Sequence, residues 1–176
     1  MAEYWHQVVK LNDWQKQRFA NHMVETMFRS VTGKKIAMLG FAFKKDTGDT
    51  RETAAAYVAK SLLEERAAVH VYDPKVSRAS MLMEMEYSLG VSKEDYGGLD
   101  KSLPLVEDLY EACLGAHAVC IMTEWDEFKS LDFKRIYEGM PKPAFIFDGR
   151  NILPHDELRA IGFEVYAIGK PLKKAT

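Results

Sequence analysis

From residue 33 onward, short and nearly uninterrupted apolar runs recur at Ile36–Leu39, Val69–Tyr72, Ala118–Met122, Ala144–Phe147 and Phe163–Ile168. Runs this short, without polar alternation, suit strands buried on both faces. Between them lie stretches with helical apolar spacing: Thr53–Arg66, Ser77–Tyr87, Val106–Leu114, Leu131–Gly139 and His155–Ile161. Strands alternating with helices dictate βαβ units. The expected fold is α/β, a doubly wound parallel sheet over residues 33–170. Pro104-Leu105-Val106 reads as a short extra strand, and the polar, glycine-containing stretch Ser88 to Ser102 as a surface loop.

Residues 1–32 have a different pattern. Tyr4, Val8, Leu11, Phe19, Met23 and Met27 fall at three- or four-residue steps with a gap at Gln15. This predicts a long helix over Ala2 to Ser30, with Asn12 and Gln15 as a capping pair that restarts it after a bend. So much apolar surface needs a partner: the domain's own core, a dimer contact, or the continuation of a longer helix. The basic tail, residues 171–176, is expected to be frayed.

Composition excludes several classes. Twenty-four basic residues stand against 26 acidic ones, for a net charge of −2. That is no footprint for a nucleic-acid partner. No apolar run reaches membrane-spanning length and no charged-then-apolar leader opens the chain, so no membrane partner and a cytoplasmic location are expected. The two cysteines, Cys113 and Cys120, fit a reducing compartment and form neither a disulfide framework nor a metal cluster. The five histidines show no metal-ligand spacing and read as surface or core filler.

Ligands of doubly wound sheets sit beyond the carboxyl ends of the strands. The loop after the first run, GFAFKKDTGDTRET from Gly40 to Thr53, is therefore the first candidate. It lacks the G-x-G-x-x-G whose bare glycines let a pyrophosphate approach backbone amides, and Phe41 and Phe43 would block that approach. The sheet is Rossmann-like, but the usual NAD site is not built here. Lys44, Lys45 and Arg51 are balanced by Asp46, Asp49 and Glu52, so placement must matter rather than count. Two lysines at the sheet mouth, beside a helix capped by Thr50 or Asp49, suit a phosphate or diphosphate. On spacing alone the more ordinary reading is a solvated loop whose charges pair among themselves. Arg150, after the fourth run, can fork onto phosphate at the same mouth; an exposed surface arginine fits equally well. Asp73 stands where a ribose-binding carboxylate would, but further from Gly40 than the customary ~20 residues, and reads better as a helix N-cap. Trp125 reads as a packing residue at a helix start.

GFAFKKDTGDTRET closely resembles the signature opening the C-terminal domain of the UDP-glucose 6-dehydrogenases, with Thr53 where serine is common. The resemblance continues through VYDPKV (71–76), GAHAVCIMTEWDEF (115–128) and PAFIFDGRNIL (143–153), and EYWHQVVKLND (3–13) looks like the end of that family's central helix. It thus covers nearly the whole chain in order. The resemblance implies an enzyme that oxidises the sugar C6 alcohol of UDP-glucose to a carboxylate, using two NAD+ in turn through a cysteine thioester. It also implies a UDP-sugar-binding domain that closes the cleft. On it, Phe43, Lys44 and Arg150 contact substrate, with Lys44 near the diphosphate, and Arg51 reaches across the cleft to NAD. A homo-oligomer built through the N-terminal helix is the implied assembly.

The residues present contain neither a glycine-rich dinucleotide loop nor the family's glycine-rich cysteine segment. Cys113 and Cys120 read as small core residues. No catalytic residue is therefore assigned, and the chain by itself is expected to be inactive as a dehydrogenase. The alternative is a free-standing nucleotide-sugar-binding or helix-dimerising module.

Overall fold

The computed structural model describes residues 2–170, and the side chains of residues 7–170. The expected frayed tail, and the side chains of Tyr4 and His6, lie outside the described residues. Helix α1 (Ala2–Thr26) runs through Asn12 and Gln15 without a break, so the expected restart does not occur. Only its second half is core: Phe19, Ala20 and Met23 are buried, as is Met27 just past its end, whereas Val9, Leu11 and Trp14 are exposed. The helix stops where Phe28 and Arg29 take positive φ, and the Lys34 ammonium donates to the carbonyl of Met27 at 2.8 Å. That bond satisfies one of the carbonyls a helix end leaves open.

Strands β1 (Lys35–Leu39), β2 (Ala68–Tyr72), β3 (Ala118–Ile121), β4 (Phe145–Asp148) and β5 (Glu164–Ala167) form one parallel sheet in the order β2-β1-β3-β4-β5. Each matches an apolar run to within a residue or two. Strands β3 and β4 are buried at every position, while β2 alternates. The unbroken apolar runs belong to strands covered on both faces, which is why alternation is missing from them. Leu105 adds a single parallel bridge to Val71, held by Val71 N–H to Pro104 O and Val106 N–H to Val71 O, both 2.8 Å. With this stub counted, the strand order is the six-strand order of dinucleotide-binding sheets, its third strand reduced to one residue.

The connecting helices are α2 (Ala54–Glu64), α3 (Arg78–Leu89), α4 (Leu99–Ser102), α5 (Leu109–Cys113), α6 (Phe133–Glu138) and α7 (His155–Ile161). The stretch from Ser88 to Ser102 is not simply a surface loop. It completes α3, turns at Gly90, and folds the short α4 so that Val91 and Leu99 reach the core. Two isolated apolar residues in a polar stretch gave no periodic signal. No helix among the described residues is long and apolar enough to cross a membrane.

Candidate functional site

The strand order reverses between β1 and β3, and loops leaving those two strands flank the crevice where doubly wound sheets bind ligands. The loops touch at their roots. Gly40 has φ +90, and a Cβ there would lie 2.4 Å from the Cβ of Thr123. Only glycine fits both the backbone and the contact. The Thr123 hydroxyl then donates to the carbonyl of Ala42 at 2.7 Å.

Phe41 does not obstruct the mouth as expected; it is fully buried, as is Ala42. The amides of these two residues, which a glycine-rich loop would offer to a pyrophosphate, both donate to Oδ2 of Asp73, at 2.8 and 3.0 Å. Asp73 is the joint of the site. Its Oδ2 also accepts from Trp125 Nε1 (3.1 Å), and its Oδ1 from the N–H groups of Lys75 (2.9 Å) and Val76 (3.0 Å). Loops following β1, β2 and β3 are thus fastened to one carboxylate. The expected N-cap role falls instead to Ser77, which caps α3. Trp125 packs as expected, buried, but it also supplies a donor. Asp73 faces inward with its oxygens occupied, so this chain's residues do not fit the cradle of a dinucleotide.

Asp148 repeats the device after β4. Its Oδ1 accepts from the N–H groups of Arg150 (3.1 Å) and Asn151 (2.7 Å), and its Oδ2 from Leu153 N–H (2.9 Å) and His155 Nε2 (2.8 Å). Both aspartates gather the amides two and three residues ahead, plus one aromatic ring N–H. A carboxylate satisfied this way can stay buried.

Arg150 leaves this turn and crosses the mouth. Its Nε donates to Met122 O at 2.7 Å and its terminal nitrogen to Phe43 O at 3.3 Å, with Glu124 Oε2 3.4 Å from Nε. Phe43 is half exposed, at 51%. Lys44, the next residue, is exposed and makes no hydrogen bond or ion pair with any described residue. Phe43, Lys44 and Arg150 therefore gather at one place. Lys45 is diverted: its ammonium donates to Asp126 at 3.0 Å, which raises its pKa, and its N–H donates to Glu124 at 3.3 Å.

Arg51 pairs within its own loop, where the carbonyl of Asp49 accepts from Phe43 N–H at 2.8 Å. Its guanidinium, with the side chain 86% exposed, forks onto Asp49, the shortest contact being 2.7 Å. The hydrogen bonds from Arg51 hold the Asp49 carboxyl down at about 2. Neither Asp49 nor Thr50 caps α2; Thr53 does, accepting from Ala55 N–H, while Thr50 donates to Ser80 O. The N-terminus of α2 is consequently closed by buried Thr53, Ala55 and Ala56 rather than open to an anion.

Two cations and an exposed ring suit an anion carrying a flat heterocycle. Bond-making groups are not at hand. Burial pushes the Cys113 thiol up to about 12 and raises the Cys120 thiol as well. No described cluster of His, Cys, Asp and Glu could hold a metal ion. His22 packs edge-on against Tyr166 and Phe147, as filler would, but His155 is a bonded element of the Asp148 turn. A cleft of about 870 Å³ between α1 and β5, lined by Trp14, His22, Tyr166 and Lys170 among others, includes neither Lys44 nor Arg150.

Residues 37–155 match the family model described as UDP-glucose/GDP-mannose dehydrogenase family, UDP binding domain. The chain belongs to the UDP-glucose/GDP-mannose dehydrogenase family. Among curated members, it is 52% identical over 182 residues to UDP-glucose 6-dehydrogenase 2 of Oryza sativa subsp. japonica, covering 98% of this chain and 37% of that protein. It is 52% identical over 172 residues to the UDP-glucose 6-dehydrogenase of Bos taurus, covering 97% of this chain and 34% of that one. The chain thus spans little more than a third of the length of these relatives. Among solved structures, the NDP-N-acetyl-D-galactosaminuronic acid dehydrogenase of Methanosarcina mazei Go1 superposes with a TM-score of 0.73 at 28% identity, over 92% of this chain and 30% of that one. The UDP-glucose dehydrogenase of Pyrobaculum islandicum gives 0.60 at 28% identity, over 86% and 29%. The matched part is the family's UDP-binding domain, and the mouth of β1, β3 and β4 lies within it.

Sequence reasoning read Asp73 as an N-cap and His155 as filler, and gave Asp148 and Glu124 no role of their own. One signal was available: an aspartate ending an apolar run, followed by Pro-Lys in one case and Gly-Arg in the other.

Proposed function

We propose that this chain is the UDP-sugar-binding part of a UDP-glucose 6-dehydrogenase, which converts UDP-glucose and two NAD+ to UDP-glucuronate and two NADH. In this reading Lys44 and Arg150 neutralise the diphosphate, Phe43 lies against the substrate, and Arg51 turns outward to NAD held elsewhere in the enzyme. Closing the domain over the nucleotide excludes water and strengthens each of these contacts. The observation that carries the reading is the bond from Arg150 to the carbonyl of Phe43, which ties a guanidinium to the backbone leading into Lys44, an exposed lysine with no ion pair among the described residues. The exposed Val9, Leu11 and Trp14 on α1 support a homo-oligomer formed through that helix, and the cytoplasm is the proposed location.

Titration calorimetry with UDP tests the reading. Weak binding is expected, and Lys44→Ala should cost about 1–3 kcal/mol of it. An unchanged affinity would remove Lys44 from the site. The chain incubated with UDP-glucose and NAD+ should form no NADH, because its thiols are buried and raised in pKa.

A further inference from the structure

Arg150 is set from behind by a chain of buried polar groups. Asp148 is inaccessible to solvent, and its four hydrogen bonds fold residues 148–153 into the turn from which Arg150 departs, with Asn151 at φ +60. Three of its donors are backbone amides of that turn. The fourth is the ring of His155, whose side chain is only 5% exposed. The other ring nitrogen of His155, Nδ1, lies 3.1 Å from the ammonium of Lys170. An ammonium has donors and no acceptor. Lys170 must therefore donate to Nδ1, which places the ring proton on Nε2, facing Asp148.

We propose that His155, anchored at Nδ1 by Lys170, is a positioning residue for Arg150. Without the ring N–H, Oδ2 of Asp148 keeps one donor in a place closed to water. An undersatisfied buried carboxylate turns to recover donors, and the turn it organises moves with it. Arg150 is the long lever on that turn, so a small rotation at Asp148 becomes a larger displacement at the mouth. The interaction with ligand anions rests on the proposed UDP site; the hold on Arg150 does not. Glutamine is the conservative replacement. It offers an N–H to Asp148 and an oxygen to Lys170, whereas leucine fills space and offers neither.

The test has two arms. In nitrogen-15 spectra without ligand, the Arg150 Nε–H, bonded to Met122 O, should shift or lose exchange protection in His155→Leu and stay in place in His155→Gln. Lys170→Met, which leaves the core untouched, removes the bond that anchors the ring at Nδ1 and should move the Arg150 signal the same way by a smaller amount. It carries this arm if His155→Leu does not fold. An Arg150 signal unmoved by either variant overturns the proposal. In titrations with UDP, His155→Leu should weaken binding about tenfold in the wild-type background and have no effect when Arg150 is already alanine. An undiminished effect in that second background also overturns it. If instead Arg150→Ala leaves UDP affinity unchanged while the Arg150 signal still responds to His155, the UDP reading falls and the positioning role stands.

Discussion

The guanidinium of Arg150 donates to the carbonyl of Phe43, 107 residues earlier in the chain, and bridges the turn after β4 to the loop after β1. Its Nε holds Met122 O at the end of β3, so one side chain spans three strand ends. A lysine could supply the charge, but its donors all leave one atom and do not span the two points from which Nε and the terminal nitrogen reach Met122 O and Phe43 O. Arg150→Lys should therefore weaken UDP binding by roughly tenfold while leaving thermal stability within about a degree or two. Calorimetry and a melting curve on the same sample check both halves.

Asp73 has a larger share in stability. Five N–H donors from three loops converge on a buried carboxylate. An asparagine in its place would turn an amide NH2 toward donors. Asp73→Asn should lower unfolding free energy by roughly 3 kcal/mol. Urea unfolding measures it, and a loss under about 1 kcal/mol would show that the carboxylate is not the joint described.

Gly40→Ala adds a methyl group at positive φ, with its carbon 2.4 Å from the Thr123 side chain. Strain and clash act together there, and a loss of about 2–4 kcal/mol is expected. Gly33, at φ +71 with nothing near its Cβ position, is the internal control and should lose only about 1 kcal/mol on the same change.

Both thiols should be inert in the native protein. Burial raises each pKa, that of Cys113 to about 12, so the thiolate is scarce at pH 8 and shielded as well. An aromatic disulfide reagent should titrate neither cysteine until denaturant is added, and then both. Fast labelling of one thiol in the folded state would contradict the burial.

The Asp49–Arg51 pair predicts a pH window. The folded carboxyl titrates near 2, below its ordinary 3.8. Its stabilising contribution is thus complete above 3.8 and is lost as pH falls toward 2. Carbon-13 titration of the Asp49 side chain should give the low midpoint, and Arg51→Ala should raise it part of the way back, since the backbone N–H of residue 51 still donates to the carboxylate.

The layered architecture was legible because the apolar runs are unbroken and the strands they form are covered on both faces. The location of the mouth followed from strand topology, and the Gly40–Thr53 loop from its position after β1. The internal wiring was not legible. Asp73 finds Phe41 at a separation of 32 residues and Trp125 at 52, and no periodicity reports contacts of that range. Proximity in sequence misled at the loop itself. Asp49 and Thr50 have the chemistry of caps, yet Thr53 takes the cap because the loop commits Asp49 to Arg51 and Thr50 to Ser80. Helical spacing gave α1 an apolar stripe without saying what covers it: the second half packs on the domain, whereas Leu11 in the first half is exposed.

The one-residue bridge of Leu105 has a consequence for how copies of the chain meet in solution. A long bare strand flank recruits other chains into continuous ribbons. Leu105 blunts that flank on one side by engaging both backbone groups of Val71, and on the other side the Arg159 guanidinium covers the outward carbonyl of Val165 at 3.1 Å. Lateral growth into fibrils is thereby disfavoured at both borders, and neither safeguard touches the crevice where a nucleotide would lie.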